Sequence, residues 1–358
     1  MTPGDLLGLI GTRSGACSYP GAHWFASGRA ALLAGLRALG IGAGDEVLLP
    51  AYLCGSVVTP VQTVGATPVF FPIGRRFDAD LAGLEAAIGP NARAVVLIHY
   101  LGFPGPVDEV RELCQRRGLA LIEDCAHALY SRDGDRLLGT SGDLAIFSPW
   151  KSLPLADGGL LVVNRRDLTP VDPPRALAGG QTAARLAYRA LGTVEQAIGW
   201  SPRLALLRRP GVRRSVHEQV SAGPVEMLAG SAVSRRLFRS ARPAHVVGRR
   251  RRHFARLLDV CQNLSWARPV YGELPEGVCP LGLPLVAEDR DRWRDALLRL
   301  GVNVRTYWEQ LPPAVDVDRF PDAGWLRDRI LILPVHQGLS AESVEWLARM
   351  LQTLPERT

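Results

Sequence analysis

The first half of the chain alternates short apolar runs with segments whose apolar residues recur at helical spacing. The short runs predict β-strands at residues 46–50, 67–72, 92–100, 119–124, 143–148 and 159–163. The helical patterns between them lie at residues 30–40, 57–66, 78–89 and 107–118. This alternation between about residues 24 and 165 predicts an α/β fold in which helices cover a mostly parallel sheet.

A second alternating region begins near residue 246 with a basic helical segment. Helices and strands are predicted there at residues 246–264, 281–287, 289–301, 329–335 and 340–352. The intervening residues 165–245 are rich in Arg, Ala and Pro, and we expect helices in them. The pattern therefore predicts a large domain over residues 1–245 and a smaller C-terminal α/β domain over residues 246–358.

Composition narrows the class of protein. Of the 358 residues, 47% are hydrophobic and 22% are charged, which excludes a disordered or fibrous chain. No apolar run approaches the roughly 20 residues of a membrane helix, and the N-terminal segment lacks the basic start of a signal peptide. The six cysteines form no CxxC pair. We therefore expect reduced thiols in a cytoplasmic protein, with no metal site and no membrane partner.

Positive charge is in excess, with a formal net charge of +7. No zinc finger, aromatic RNA-binding motif or long basic tail accompanies this charge, so we expect no nucleic-acid partner. Arginines cluster at residues 208–214 and 249–252. We interpret these clusters as solvated faces whose stems cover apolar surface, and a cationic rim for the diphosphate of a sugar nucleotide stays open as an alternative.

The cationic side chains are almost all arginines. Lys and Arg together number 42, and Lys151 is the single lysine among them. A primary amine can form an imine with an aldehyde, whereas a guanidinium is a poor nucleophile. Because Lys151 follows the predicted strand 143–148, we expect its amine at a strand end, partly withdrawn from water.

Other positions have the chemistry of a ligand site. Gly28 and Arg29 open a predicted helix, where free N–H groups and the helix dipole favour an anion such as phosphate. Asp124 ends a buried strand at the edge where open α/β sheets bind ligands, and Glu123 should point to the opposite face. His127 follows three residues after Asp124. Taken singly, each residue also fits a structural role as a cap, a salt bridge or a packed histidine.

Taken together with Lys151, these residues match the requirements of pyridoxal 5′-phosphate (PLP). The phosphate of this cofactor suits a helix N-terminus, its pyridine nitrogen suits an acid, and its aldehyde suits a lysine amine. The sequence therefore predicts a PLP site that brings together Gly28, Asp124 and Lys151.

Six stretches of the chain also resemble one known family in their order and spacing. They are SGRAALLAGLRALGIGAGDEVLLPAY, VGATPVFF, LIHYLGFPGPVDEV, LALIEDCAHA, LGTSGDLAIFS and DGGLLVV. The family is DegT/StrS, whose members are PLP-dependent aminotransferases of fold type I that mostly act on nucleotide-linked keto sugars. The resemblance implies a mostly parallel seven-stranded sheet with helices on both faces, followed by a smaller C-terminal α/β domain.

The resemblance also implies roles for individual residues. Lys151 would be the catalytic Schiff-base lysine, and Asp124 would be the partner of the pyridine nitrogen. His127 occupies the place of a residue that approaches the cofactor's 3-oxygen. Gly28 and Arg29 match the turn that binds the cofactor's phosphate.

Three features depart from the family's pattern. Ser148 resembles a serine that contacts the phosphate, but it lies closer to the lysine than is usual in the family. Cys54 stands where an aromatic ring often stacks on the cofactor, so we expect a changed ring face. The stretch ALAGGQTAARLAYRALG lacks the segment that reaches the partner subunit's site in the family.

The activity implied by the resemblance is amino transfer from an amino acid, such as glutamate or glutamine, to a keto sugar. Cell-surface polysaccharide or natural-product biosynthesis would be its setting. Elimination or dehydration with the same cofactor, and a non-catalytic regulatory role, stay open as alternatives. Because fold-type-I sites lie at a two-fold interface, we expect a homodimer whose interface involves residues 165–245.

Overall fold

A nine-stranded mixed sheet forms the centre of the molecule. The computed structural model describes residues 19, 21–169, 173, 175–176 and 225–354. The strands of this part are β1 (His23–Phe25), β2 (Glu46–Pro50), β3 (Thr67–Phe71), β4 (Ala92–Ile98), β5 (Ala120–Asp124), β6 (Arg132–Asp133), β7 (Arg136–Leu137), β8 (Leu144–Phe147), β9 (Gly159–Val163), β10 (Arg175–Ala176) and β11 (Leu228–Ala229). Strands β6 and β7 form a separate hairpin, and the other nine follow the order β10-β11-β1-β9-β8-β5-β4-β2-β3.

The sheet is mostly parallel where it is predicted to be. Five neighbouring strands, β3, β2, β4, β5 and β8, run in the same direction. Strand β9 pairs antiparallel with both β8 and β1. Strands β10 and β11 are only two residues long, and the remaining seven correspond to the predicted seven-stranded sheet. The predicted α/β fold is confirmed.

Helices cover both faces of the sheet, and successive strand residues point to opposite faces and so meet different helices. The helices between the first strands are α1 (Gly28–Ala38), α2 (Gly55–Thr63), α3 (Leu81–Ala86) and α4 (Val107–Arg117). Val47 and Val96 share an apolar cluster with residues of α1 and α2. Leu48 and Val95, one residue along each strand, share a different cluster with residues of α3 and α4. The near-continuous apolar strands of the sequence are thus buried on both sides.

A second, antiparallel sheet lies in the C-terminal region. Its strands are β12 (Arg268–Pro269), β13 (Gly282–Val286) and β14 (Ile330–Pro334), and the helices of this part are α5 (Ala232–Arg239), α6 (Pro243–Cys261), α7 (Arg290–Arg299), α8 (Pro321–Arg329) and α9 (Ala341–Thr353). Helix α6 packs against α9 and β13. The domain division after residue 245 stays a prediction, and α6 runs across that position.

Some elements have too little sequence signal to be predicted. The strands of the β6–β7 hairpin and β12 have two residues each, which is too short for a recognisable period, and α8 is missed as well. Most of residues 165–245, with the arginines at 208–214 and the expected interface, lies outside the described residues. Within the described ranges, no helix is long and apolar enough to cross a membrane.

Candidate active site

The carboxyl ends of two neighbouring parallel strands bring the principal candidate residues to one edge of the sheet. Strand β5 ends at Asp124, which pairs in register with Ile146 of β8. A short 3₁₀ turn, Pro149–Lys151, follows β8 directly. Because ligands bind at the carboxyl ends of the strands in open α/β sheets, Asp124 and Lys151 lie at the edge where a ligand site is expected.

Asp124 is a buried carboxylate with few partners. Its side chain accepts a hydrogen bond of 2.9 Å from the Ala126 N–H, and only 4% of the residue is exposed. Burial raises the pKa of Asp124, although the positive charge of Lys151 and the Ala126 hydrogen bond act in the opposite direction. A buried carboxylate of this kind is stabilised by a further cationic group.

Lys151 contacts His127 directly. The distance between Lys151 Nζ and His127 Nε2 is 3.0 Å. Burial lowers the pKa of His127 well below its usual value, and the positive charges of Lys151 and Arg305 lower it further. The imidazole is therefore neutral near pH 7, so its Nε2 accepts a hydrogen bond from the Lys151 ammonium group and Nδ1 carries the ring's single hydrogen. His127 Nδ1 is buried and has no hydrogen-bond partner among the described residues.

Aromatic rings from the C-terminal region cover His127. The ring of Tyr307 stacks on His127 at 5.1 Å between centroids, and the ring of Trp308 lies parallel to it at 5.8 Å. The hydroxyl of Tyr52 donates a hydrogen bond of 3.0 Å to the Tyr307 carbonyl. The sequence does not predict Tyr307 and Trp308 as site residues, because nothing in the local pattern of GVNVRTYW shows which element the segment will face.

The predicted phosphate turn lies at the N-terminus of α1. The side chain of Ser27 caps this helix by accepting a hydrogen bond of 3.3 Å from the Ala30 N–H. Ser148 is buried beside it, and a Cβ atom added to Gly28 would lie 3.6 Å from Ser148 Oγ. Arg29 follows in the first helical turn and is half-buried. The structure thus brings Gly28, Arg29 and Ser148 to one helix terminus, while their role in binding phosphate stays a prediction.

Close backbone packing supports this terminus. A Cβ atom added to Gly159 would lie 2.1 Å from the Ser27 carbonyl oxygen, so only glycine fits at the start of β9. The preceding Gly158 has a φ of 140°, a conformation that L side chains rarely adopt, and its N–H donates to the Ala26 carbonyl. The glycine pair of the DGGLLVV stretch therefore lets β9 approach the residues that precede α1.

Cys54 lies at the N-cap of α2 and is half-buried. Its side chain makes no capping hydrogen bond to the helix. The nearby Tyr52 faces Trp308, with ring centroids 4.7 Å apart in an edge-to-face arrangement. Cys54 follows Tyr52 by two residues in the chain, and its predicted position beside the cofactor ring stays untested.

Glu123 points away from this site, as its position on the strand predicts. His99 donates from Nε2 to its carboxylate at 3.0 Å, since His99 Nδ1 accepts the Gly105 N–H. The N–H groups of Gly139, Ser141 and Gly142 also donate to the Glu123 carboxylate, at 2.6 to 2.9 Å.

These contacts decide what the Glu123 cluster can do. Burial favours the protonated acid, but the His99 hydrogen bond and the backbone donors outweigh it and lower the pKa of Glu123. Cys125 lies close enough to His99 and Glu123 for the three to resemble a metal site. The ring nitrogens of His99 and the carboxylate oxygens are already bonded, so the cluster is a structural network rather than a ligand set.

The arginines at residues 249–252 do not form the solvated face that we expect from the sequence. Arg250 is only 2% exposed and is among the largest fully buried side chains of the described residues. Arg251 donates to the carbonyl oxygens of Pro275 and Val278, while Arg252 is exposed. The solvated interpretation is therefore wrong for Arg250, because helix α6 turns this side chain towards the interior.

The fold and the site together define a fold-type-I α/β protein that has its single lysine at the ligand-binding edge of the sheet. Comparison with known proteins points to a particular family. Residues 19–170 match the family model of the DegT/DnrJ/EryC1/StrS aminotransferase family. The predicted family resemblance is confirmed by this match.

One curated relative is UDP-N-acetyl-3-dehydro-α-D-glucosamine 3-aminotransferase of Acidithiobacillus ferrooxidans. It is 42% identical over 147 residues, which cover 40% of this chain and 40% of the relative. The match therefore spans about two fifths of the relative's length.

Solved structures match over much more of the chain. DesV of S. venezuelae, solved in complex with a ketimine intermediate, has a TM-score of 0.71 and 25% identity, and the match covers 100% of this chain and 91% of that one. The aminotransferase TlmJ of Streptoalloteichus hindustanus has a TM-score of 0.69 and 23% identity, with 94% and 86% covered. These similarities extend the fold assignment to the C-terminal region.

Proposed function

We propose that this protein is a PLP-dependent aminotransferase. The observation that carries the proposal is the contact of 3.0 Å between Lys151 Nζ and His127 Nε2, at the strand edge where Asp124 is buried. The family match over residues 19–170 supports the same activity. A lysine that served only as a surface cation would not be placed against a buried neutral imidazole.

The described residues fit the cofactor in two respects. The buried Asp124 carboxylate accepts one hydrogen bond among the described residues, so it can hold a protonated ring nitrogen. The orphaned Nδ1–H of His127 can donate to a ring oxygen. Gly28, Arg29 and Ser148 would hold the phosphate at the N-terminus of α1.

Bound PLP would supply an aldehyde that takes up an amino group and a ring that withdraws electrons from the carbon beside it. Asp124 would keep the proton on the ring nitrogen, which preserves that withdrawal. Lys151 would bind the aldehyde at rest and, once released, would carry a proton to and from the substrate carbon. His127 would orient the lysine amine through Nε2, and the rings of Tyr307 and Trp308 would exclude water.

For the substrates we propose an amino-acid donor, glutamate or glutamine, and a keto-sugar acceptor that is linked to a nucleotide. The name of the Acidithiobacillus relative, an aminotransferase of a UDP-linked keto sugar, supports the acceptor class. A homodimer and a cytoplasmic location complete the proposal. They rest on the family resemblance and on the cysteine pattern of the sequence.

The single lysine makes the test direct. Purified protein is incubated with PLP, reduced with borohydride and digested, and the cofactor should be found on the peptide that contains Lys151. Glutamate added before reduction should release 2-oxoglutarate in a stoichiometric amount and leave the cofactor in its amine form. Lys151→Ala should abolish the label and the half-reaction, while Arg252→Ala on the exposed face of α6 should retain both.

Three results would contradict the proposal. Failure to bind added PLP would favour a non-catalytic protein on this fold. Ammonia release, with the cofactor remaining an aldehyde, would favour elimination. A label on the chain's N-terminal amine alone would remove Lys151 from the mechanism.

A further inference from the structure

A buried arginine links the C-terminal region to the turn that carries Lys151. Arg250 of α6 donates from Nε to Gln337 Oε1 at 2.7 Å and from Nη1 to the Pro280 carbonyl at 3.0 Å. Its Nη2 donates to the Ser152 carbonyl, also at 3.0 Å. Three segments that are distant in sequence therefore meet at one guanidinium.

This guanidinium has no carboxylate partner among the described residues, so carbonyl and amide dipoles alone stabilise its charge. Burial lowers the pKa of Arg250. Burying a cation costs free energy unless its N–H donors have acceptors. Removal of an acceptor would leave the buried charge without that compensation and would destabilise the protein. The three acceptors of Arg250 are therefore needed to stabilise its buried charge.

The Ser152 carbonyl receives a second buried donor. Gln337 Nε2 donates to the same oxygen at 2.9 Å, while Gln337 Oε1 accepts from Arg250. Arg250, Gln337 and Ser152 thus form a closed triangle of hydrogen bonds, and each residue is at most 6% exposed. We call these three residues the Ser152 clamp.

The clamp acts on the residue immediately after Lys151. The other end of the lysine turn, Ser148, is packed against Gly28 at the N-terminus of α1. Inside the turn, the Lys151 N–H donates to the Ser148 carbonyl at 2.9 Å and the Ser152 N–H donates to the Pro149 carbonyl at 3.0 Å. Both ends of the turn are held, one by the large sheet's first helix and the other by the clamp.

We propose that Arg250 and Gln337 are positioning residues, which hold the Ser152 carbonyl and thereby keep the Lys151 amine in contact with His127. The proposal rests on the proposed function, in which Lys151 carries the proton. A displacement of about 1 Å in a reacting group can cost about 10²-fold in rate. The clamp supplies the rigidity that such a group requires, and it derives from α6 and from the loop after β14.

A substitution at Gln337 can show whether the clamp positions Lys151 or only helps to hold the folded protein together. Gln337→Glu keeps an acceptor for Arg250 and gives the buried cation a carboxylate partner, but it replaces the N–H donor to Ser152 with an oxygen. If the clamp served only cohesion, any loss of rate in this variant would follow its loss of stability or of PLP affinity. If it positions Lys151, the variant should stay folded and lose rate.

The first readout needs no cofactor. Lys151 is the only side-chain amine, so its acylation in the full-length chain without PLP can be followed by peptide mass spectrometry across a pH series. We expect Gln337→Glu to change the acylation rate of Lys151 and shift its pH midpoint. Arg252→Met, at an exposed position of the same helix, should leave both unchanged.

The second readout is the single-turnover half-reaction with glutamate. We expect Gln337→Glu to lower its maximal rate by about 10-fold to 10²-fold, with KM for glutamate and the melting temperature close to wild type. Glutamate deuterated at its α-carbon should show a larger isotope effect, because proton transfer becomes slower. Arg250→Lys should recover part of the rate that Arg250→Met loses.

The outcomes distinguish this inference from the proposed function. A wild type without any half-reaction would refute the proposed function, and an altered Lys151 acylation profile in Gln337→Glu would still support the clamp. Wild-type rate and acylation in Gln337→Glu would overturn the clamp. Loss of rate in proportion to lost stability or lost PLP affinity would also overturn it, since cohesion would then be its whole role.

Discussion

Glu123 and Asp124 are adjacent carboxylates at the end of β5, and they have opposite environments. Both are buried, with 0% and 4% exposed. Glu123 receives donors from His99 and three backbone N–H groups, and its pKa is lowered. Asp124 accepts one backbone N–H among the described residues, and its pKa is raised.

The difference shows how burial alone fails to identify a functional acid. The charge of Glu123 is fully compensated by hydrogen bonds from the protein itself, so its carboxylate has no need of a ligand. On the Asp124 side, the carboxylate accepts one backbone N–H among the described residues and the His127 Nδ1–H has no partner there, so both groups retain unused hydrogen-bonding capacity. A site is recognised by that unused capacity, because a buried polar group without a partner is costly unless a ligand completes it.

The largest effect, a loss of stability, is expected when Glu123 loses its ability to accept all four hydrogen bonds. Gln at position 123 cannot accept from four donors, because its amide presents one acceptor oxygen and an NH₂ group. We expect Glu123→Gln to lower the free energy of unfolding by about 3–5 kcal/mol in denaturant titrations. The half-reaction per folded molecule should stay near wild type.

The exposed pair Asp108–Arg136 provides the control for this prediction. Arg136 donates two hydrogen bonds to Asp108, at 2.6 and 2.9 Å, but both side chains reach solvent. Asp108→Asn should therefore cost less than about 1 kcal/mol. Equal losses of unfolding free energy in the two variants would show that the buried Glu123 network stabilises the protein no more than an exposed ion pair does.

The next largest effect is a loss of reaction rate on substitution of Asp124. Asp124→Asn removes the carboxylate that would keep the ring nitrogen protonated, so the single-turnover half-reaction with glutamate should slow by about 10²-fold to 10³-fold. Stability should change little, because the variant also removes a buried charge that burial disfavours. If Asp124→Asn unfolded more readily but reacted at the wild-type rate, Asp124 would have the structural role that we assign to Glu123.

The smallest effect is the pH dependence of stability that His127 contributes. Its folded-state pKa is lowered, so below the unfolded value of about 6.5 the unfolded chain binds the proton and the folded chain does not. Stability should fall with falling pH, by up to about 1.4 kcal/mol per unit for this group. His127→Asn should remove that part of the slope between about pH 6.5 and 5.5. An unchanged slope would mean that the folded and unfolded chains protonate His127 to the same extent, which would contradict its lowered pKa.

Local pattern was enough to predict many elements of this fold. Strands β2 and β9 have the predicted bounds, and α1 and α4 begin within two residues of them. Strand alternation also places Glu123 and Asp124 on opposite faces. These features depend on periods of two and 3.6 residues, which the sequence displays directly.

The single lysine and the strand-end aspartate could likewise be selected from sequence, because their residue types and positions carry the chemistry. Local sequence patterns were thus sufficient to predict the α/β architecture, the family resemblance and the residues that a PLP site would require. They could not predict that Arg250 is buried, that Gln337 and Arg250 share the Ser152 carbonyl, or that Tyr307 and Trp308 cover His127. The reason is physical: these contacts join residues up to 185 positions apart, and no local period records which distant surface a side chain will meet.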